Sequence, residues 1–173
     1  MNPFSADGLM RIREQLRPWA VLPLRLVVGI GFVVHGYAKL SRGPAGFAKL
    51  LDQIGVPLPL PTAWLVTGIE LLGGLALIVG VGVALVSLPL IASMLVALVQ
   101  VQFRYGFSSV NTIGLKPDGP VFGPPGYEIN LLYIASLLTL IVVGPGPLSV
   151  ASWMNARRAA RASSNARGSS GAN

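Results

Sequence analysis

The chain has 173 residues, of which 53% are hydrophobic and only 11% are charged, and its formal net charge is +7. A soluble domain carries about 25% charged residues, so this composition argues against a soluble globular enzyme. It also excludes a disordered chain, which needs low hydrophobicity. The chain has no cysteine, which excludes disulfides, thiol catalysis and cysteine-ligated clusters on this chain. A membrane protein is the class that fits.

The first predicted element is a basic N-terminal segment, residues 1–18, which precedes an apolar stretch at about 19–40. About 20 apolar residues suffice to cross a bilayer. The stretch is too long for the apolar core of a cleaved signal peptide, which is about 7–15 residues. Its ionisable residues are Arg25, His35 and Lys39. We therefore predict a first membrane helix that carries three ionisable side chains.

The next apolar stretch, residues 62–103, contains a single charged residue, Glu70. As one helix it would be about 63 Å long, twice the thickness of the hydrocarbon core. It must therefore fold back, and Gly80-Val81-Gly82 is the best turn. The sequence predicts helices at about 62–80 and 83–103.

The last predicted membrane helix covers about 128–143 or slightly beyond, and Gly144-Pro145-Gly146-Pro147 follows it. The predicted fold is therefore all-α, a four-helix transmembrane bundle within a membrane domain at 19–155. After it, residues 156–173 are rich in Ala, Arg, Ser and Gly. Because this tail has almost no apolar content, it is predicted to be a disordered basic tail.

The basic residues predict the orientation of this bundle. Seven arginines lie in the two tails, whereas four or five basic residues flank the opposite side. Because cytoplasmic segments carry the excess of Lys and Arg, both termini are expected in the cytoplasm. No folded polar domain offers a nucleic-acid patch. The tail arginines are interpreted as orientation signals or as contacts to anionic lipid.

Glu70 is the residue that most requires an explanation. It is expected about 12 Å below the membrane surface, where a carboxylate needs a proton or a partner. His35 is expected within one helical turn of that depth, with Lys39 nearer the surface and Arg25 deeper but long enough to reach. Gly29 and Gly36 share a helix face with Arg25 and Lys39, so this face is expected to point into the bundle.

Each ionisable residue also has an ordinary structural explanation. Arg25 could extend its side chain to the headgroups, His35 could be a core histidine, Glu128 could cap a helix, and Arg104 could anchor at the interface. Their joint occurrence favours a buried polar network instead. The predicted catalytic candidates are Glu70 and His35. The predicted ligand-binding residues are Arg25, Lys39, Glu128 and Arg104. One histidine and two carboxylates at no characteristic spacing do not predict a metal site.

Several motifs together resemble the DoxX family, and they cover about residues 22–150. They are LRLVVG at 24–29, FVVHGYAKL at 32–40, GF at 46–47 followed by GVP at 55–57, ELLGGLALIVG at 70–80, and GPGPLSV at 144–150 after Glu128. The resemblance implies a four-helix integral protein of the bacterial plasma membrane. Relatives are associated with redox work, namely a quinone-linked thiosulfate oxidoreductase subunit and a membrane partner of detoxifying enzymes in mycobacteria.

The leading functional hypothesis is a membrane subunit or scaffold of a redox system, quinone-linked or responsive to oxidative stress, with a quinone as the candidate cofactor. Whether the chain is itself an enzyme stays open. The alternatives are a small-molecule or proton-linked transporter and a non-catalytic membrane anchor for peripheral enzymes. The expected partners are the lipid bilayer, a redox enzyme and a second copy of the chain, but no nucleic acid.

Overall fold

The computed structural model describes residues 5–170 of the chain, and it is mostly helical. The α-helices are α1 (Ala6–Leu16), α2 (Val21–Ser41), α3 (Pro44–Gln53), α4 (Pro59–Val79), α5 (Val83–Ala97), α6 (Glu128–Val143) and α7 (Val150–Ser170). A π-helix, Leu98–Gln102, and a 3-10 turn, Phe103–Tyr105, continue α5. A hairpin of β1 (Thr112–Lys116) and β2 (Gly119–Phe122) precedes α6.

Within the described residues, three stretches are long and apolar enough to cross a membrane, Ala6–Ser41, Pro59–Val79 and Val83–Tyr105. The helix Glu128–Val143 is also apolar but shorter. The predicted helix bounds agree to within three residues with α2, α4, the continuous helical stretch Val83–Tyr105 and α6. The largest difference is at α4, which begins at Pro59 because proline is favoured in the first turn of a helix, where its missing N–H costs no hydrogen bond. The protein is a helical membrane protein.

The apolar helices pack in a ring in which α2 and α5 each contact both α4 and α6. Phe32, Leu77, Leu90, Leu137 and Leu140 fill its centre and are fully buried. We call the end of this ring that carries α3 and the hairpin the loop side, and the end that carries α1 and α7 the tail side. Both tails therefore leave from the same side of the ring.

Helices α2 and α4 approach each other backbone to backbone through glycines, as the glycine face of the sequence predicted. A Cβ on Gly36 would lie 2.7 Å from the backbone nitrogen of Leu71. A Cβ on Gly74 would lie 2.7 Å from the carbonyl oxygen of Gly29. Because no side chain fits at these positions, the glycines fix the distance and the register between the two helices.

Four local elements were not predicted from hydropathy. Helix α1 lies within the segment predicted only to be basic, α3 within the first loop, and the hairpin within the second. Helix α3 starts at Pro44 after Gly43, whose φ of +82° sets the turn.

Residues 156–170 continue α7 as a helix, where the sequence predicted disorder. Alanine and arginine are strong helix formers even without a core to pack against. Residues 171–173 of that tail lie outside the described part of the chain.

Candidate functional site

Glu70 and Lys39 form an ion pair on the loop side of the helix ring, in which Glu70 is buried and Lys39 is partly exposed. Lys39 Nζ donates a hydrogen bond to Glu70 Oε2. Glu70 is only 2% exposed and lies eleven residues into α4, about 16 Å along it. It is thus deeper in its helix than the sequence suggested, because α4 begins earlier. The long stem of Lys39 reaches it from near the end of α2, which the glycine contacts hold close.

Two further side chains complete this group, and the sequence predicted neither. Ser93 of α5 donates its hydroxyl to Glu70 Oε1 at 3.2 Å. The Phe47 ring of α3 lies against the ammonium group, with Lys39 Nζ 5.2 Å from its centroid. Such a cation–π contact stabilises a desolvated ammonium. A serine in an apolar helix is a weak signal, and Phe47 stood in a predicted loop, so periodicity could not place either one.

The ion pair borders a partly open cavity of about 500 Å³ that is lined mainly by α3, α4 and α5. Apolar side chains form most of its wall, and its polar lining residues are Lys39, Thr62, Glu70, Ser93 and Gln100. Gln100 belongs to the π-helix that follows α5. Single π-turns inside longer helices often occur at functional sites. An apolar cavity with a few convergent polar groups has the composition of a small-molecule binding site.

Arg25 does not join this group, although the sequence placed it within reach. It is 1% exposed and donates to the carbonyl oxygens of Pro145 and Leu148, the latter at 2.9 Å. Arg25 precedes Lys39 by fourteen residues, about 21 Å along α2. Its guanidinium is held at the tail side because the irregular loop between α6 and α7 presents carbonyl groups that no helix satisfies.

The other three sequence candidates also lie apart from the cavity. His35 is exposed on the outside of α2 and makes no hydrogen bond or ion pair with any described residue. Glu128 accepts hydrogen bonds from the backbone nitrogen of Ser109 at 2.9 Å and from its hydroxyl at 2.7 Å. Arg104 is exposed with its guanidinium over the Tyr105 ring. The predicted cluster therefore reduces to Lys39 and Glu70.

Comparison with known proteins places the site within a recognised domain. The family model for DoxX matches residues 20–102. Over these residues the chain is a member of the DoxX family. Lys39, Glu70 and Ser93 all lie in the DoxX region, and so does the cavity that they border, since its lining residues end at Val101. Arg104, Glu128 and the loop that binds Arg25 follow it.

Two curated proteins are similar to this DoxX protein. An uncharacterized protein of Haemophilus influenzae is 29% identical over 136 residues, which cover 77% of this chain and 89% of that protein. A Bacillus subtilis protein named "Putative oxidoreductase CatD" is 30% identical over 86 residues, which cover 50% of this chain and 62% of that protein. No solved structure matches the chain.

Proposed function

We propose that this DoxX protein is a membrane subunit of a redox system and that it binds a quinone in the cavity beside Lys39 and Glu70. The observation that carries the proposal is an ion pair with a buried carboxylate at the wall of an otherwise apolar cavity. Ionisable residues inside a membrane domain are costly and are generally retained for function. The name of the Bacillus subtilis relative supports the redox assignment.

The proposed topology has four crossings, formed by α2, α4, α5 and α6. Helix α6 has 16 residues, about 24 Å, which is short of the roughly 30 Å of hydrocarbon. A short span is accommodated by local thinning of the bilayer at modest cost. The excess of arginines in the tails supports a proposed orientation with α1 and α7 in the cytoplasm and the cavity in the opposite half of a bacterial plasma membrane.

The donor set and the volume of the cavity fit a quinone. Its volume lies within the roughly 300–1,000 Å³ typical of small-molecule sites. A quinone ring is flat and apolar and carries two carbonyl acceptors, and when bound it supplies two-electron, two-proton carrier chemistry. An ammonium has three N–H donors, so Lys39 can hold Glu70 and still donate to a carbonyl oxygen. Gln100 adds an amide donor on the same wall.

Glu70 is the residue suited to proton transfer in this site. Its carboxylate accepts from both Lys39 and Ser93, and the adjoining cavity brings a ligand within reach of the same oxygens. A carboxylate held between two donors can take up a proton from a neighbouring hydroxyl, and the carboxylic acid so formed can return the proton to the resulting oxyanion. Since the chain has no cysteine, thiol-derived electrons must come from a partner protein or a diffusible reductant.

Quinone binding by the purified protein in lipid nanodiscs tests the proposal. We expect the wild-type protein to bind and Glu70→Gln or Lys39→Met to weaken binding at least tenfold, about 1.4 kcal/mol. Arg104→Gln is the matched control, because it removes a predicted site charge that lies outside the cavity. Equal binding by wild type and Glu70→Gln would overturn the proposed site.

The two other functional classes predict different results for the same purified protein. A transporter would move solute into reconstituted vesicles without binding quinone. A non-catalytic anchor would capture peripheral enzymes through its arginine tail and lose them when the tail is removed. Either result, together with a failure of the wild-type protein to bind quinone, would replace the redox proposal.

A further inference from the structure

Helix α1 is a well-formed helix that contributes nothing to the core of the helix ring. At its start the Ser5 hydroxyl accepts a hydrogen bond from the backbone nitrogen of Gly8 at 3.2 Å. None of its eleven residues is buried. Its exposed apolar side chains include Leu9, Ile12 and Leu16, which we call the apolar stripe of α1. Because a short helix is marginal in water without a packed face, this stripe needs a surface that covers it.

The charged residues of α1 are sorted around the apolar stripe. At 100° per residue the three side chains of the stripe fall within about 60° of one another. Asp7 and Glu14 fall on the opposite side of the helix, together with Arg11, whereas Arg13 falls directly beside the stripe. The edge of the stripe is therefore basic and carries no carboxylate. This arrangement complements a surface that is apolar inside and negatively charged at its boundary.

Helix α1 also lies close to the start of the first membrane helix. A single 3-10 turn, Arg17–Trp19, joins it to α2. The whole stretch Ala6–Ser41 has 36 residues, about 54 Å as a helix, whereas the hydrocarbon core is roughly 30 Å thick. The 21 residues of α2, about 31 Å, suffice to cross it. Helix α1 is therefore left at the bilayer surface on the tail side.

Two exposed tryptophans mark the bilayer surface on the tail side. Trp19 precedes α2, and Trp153 lies in the first turn of α7 with the Arg157 guanidinium 3.7 Å from its ring centroid. Tryptophan is enriched at the membrane–water interface. The two tails also leave the ring at the same level, since a Cβ on Gly146 would lie 3.2 Å from the carbonyl oxygen of Pro18. Helix α1 therefore starts at the level of the lipid headgroups.

We propose that α1 lies in the plane of the bilayer on the tail side, with its apolar stripe among the acyl chains and its arginines at the phosphates of anionic lipids. Two observations favour lipid over a protein partner, namely the short link to a membrane helix and the basic edge of the stripe. Amphipathic helices of this kind bind through buried apolar area and through attraction to anionic lipid. This inference does not depend on what the cavity beside Glu70 binds.

Spin labels on the full-length protein in lipid nanodiscs test this position. The chain has no cysteine, so Leu9→Cys puts a single label on the stripe. Glu14→Cys is the matched control on the opposite side, and both positions are exposed. Oxygen concentrates among acyl chains, whereas a nickel chelate stays in water. In discs of phosphatidylcholine and phosphatidylglycerol, mixed two to one, we expect the label at position 9 to respond more to oxygen and the label at position 14 more to nickel.

Replacement of arginines measures the attraction to anionic lipid. Each arginine near such a surface is expected to shift the equilibrium between embedded and detached α1 by about fivefold. Arg13→Gln with Arg17→Gln, on the Leu9→Cys background, should therefore raise the nickel accessibility of the label. Discs of phosphatidylcholine alone should have the same effect. Arg104→Gln is the control, because Arg104 is also exposed but lies on the loop side.

Three results would contradict the inference. Equal nickel accessibility at positions 9 and 14 would show that α1 stands in water and that its stripe needs a protein partner. A label at position 9 shielded from both reagents would show that protein already covers the stripe. If neither the arginine variants nor the neutral lipid changed the accessibility, anionic phosphates would not be what α1 binds.

Discussion

Arg25 and the ion pair of Lys39 with the buried Glu70 lie at opposite ends of the helix ring, and their surroundings differ. Arg25 is tightly packed against the backbone at Gly80, since a Cβ there would lie 2.8 Å from Arg25 Nη1 and would overlap Ser149. Around Lys39 and Glu70 a cavity of about 500 Å³ adjoins the ion pair. Both groups satisfy the rule that a buried charge needs partners. The comparison teaches that burial alone does not mark a ligand site, whereas burial beside open volume does.

The backbone near Arg25 supports a structural role for it. Leu148, one of its acceptors, has a φ of +52°, which costs roughly 1–2 kcal/mol for a residue with a side chain. Gly144 and Gly146 on the same loop also have positive φ. The guanidinium thus fastens a strained loop to α2.

The largest expected effect is that of Arg25→Leu on folding. It removes two charge-assisted hydrogen bonds and leaves two carbonyl groups without a partner, so we expect the free energy of unfolding to fall by about 3 kcal/mol. Unfolding by denaturing detergent measures this, with Arg25→Lys as the control that keeps the charge. If the folded variant also lost quinone affinity by more than about twofold, Arg25 would contribute to the binding site, which would contradict its purely structural role.

A smaller loss is expected when the helix contact that aligns the site is disturbed. In Gly36→Ala the added methyl group meets the backbone of Leu71, so α2 and α4 must separate, at about 2 kcal/mol. Quinone affinity should fall as well, because Lys39 and Glu70 lie on these two helices. The matched control, Gly46→Ala, has open space and should be neutral or stabilising. Equal stability of the two variants would contradict the close helix contact.

Ser93→Ala tests whether the hydrogen bond to Glu70 at the cavity wall contributes to quinone binding. It removes the hydroxyl that bonds Glu70 Oε1, and we expect quinone affinity to fall by about 1 kcal/mol, roughly fivefold. The control is Ser87→Ala, since Ser87 bonds only the carbonyl of Val83 in its own helix. The two variants should unfold at similar detergent concentrations. A larger loss of affinity in Ser87→Ala would place the site elsewhere.

The smallest effect is expected for His35→Gln. Because His35 is exposed and unpaired among the described residues, its replacement should change the free energy of unfolding by less than about 0.5 kcal/mol. Quinone affinity should stay within about twofold of wild type. A strong loss of quinone affinity would show that His35 contributes to the binding site. Because His35 is exposed, this would require a partner protein that packs against α2.

The amphipathic geometry of a helix explains why part of the site could be predicted. Lys39 and Gly36 share one face of α2, and that face does meet α4, so Lys39, one of the three basic residues that residue spacing offered to Glu70, does pair with it. His35 stood at the margin of that face, where a small rotation about the helix axis decides between interior and surface. Spacing along one helix does not fix that rotation, and His35 is exposed.

The sequence by itself determined the membrane class, the positions of the apolar helices, the glycine face and the need of Glu70 for a basic partner. These follow from local properties, namely hydropathy, helical periodicity and the cost of burying a charge. Only the tertiary structure decided that Ser93 and Phe47 complete the group, that Glu128 bonds Ser109, and that Arg25 bonds a distant loop. Those contacts join residues far apart in the chain, and their partners depend on helix rotation and loop path, which no local pattern encodes.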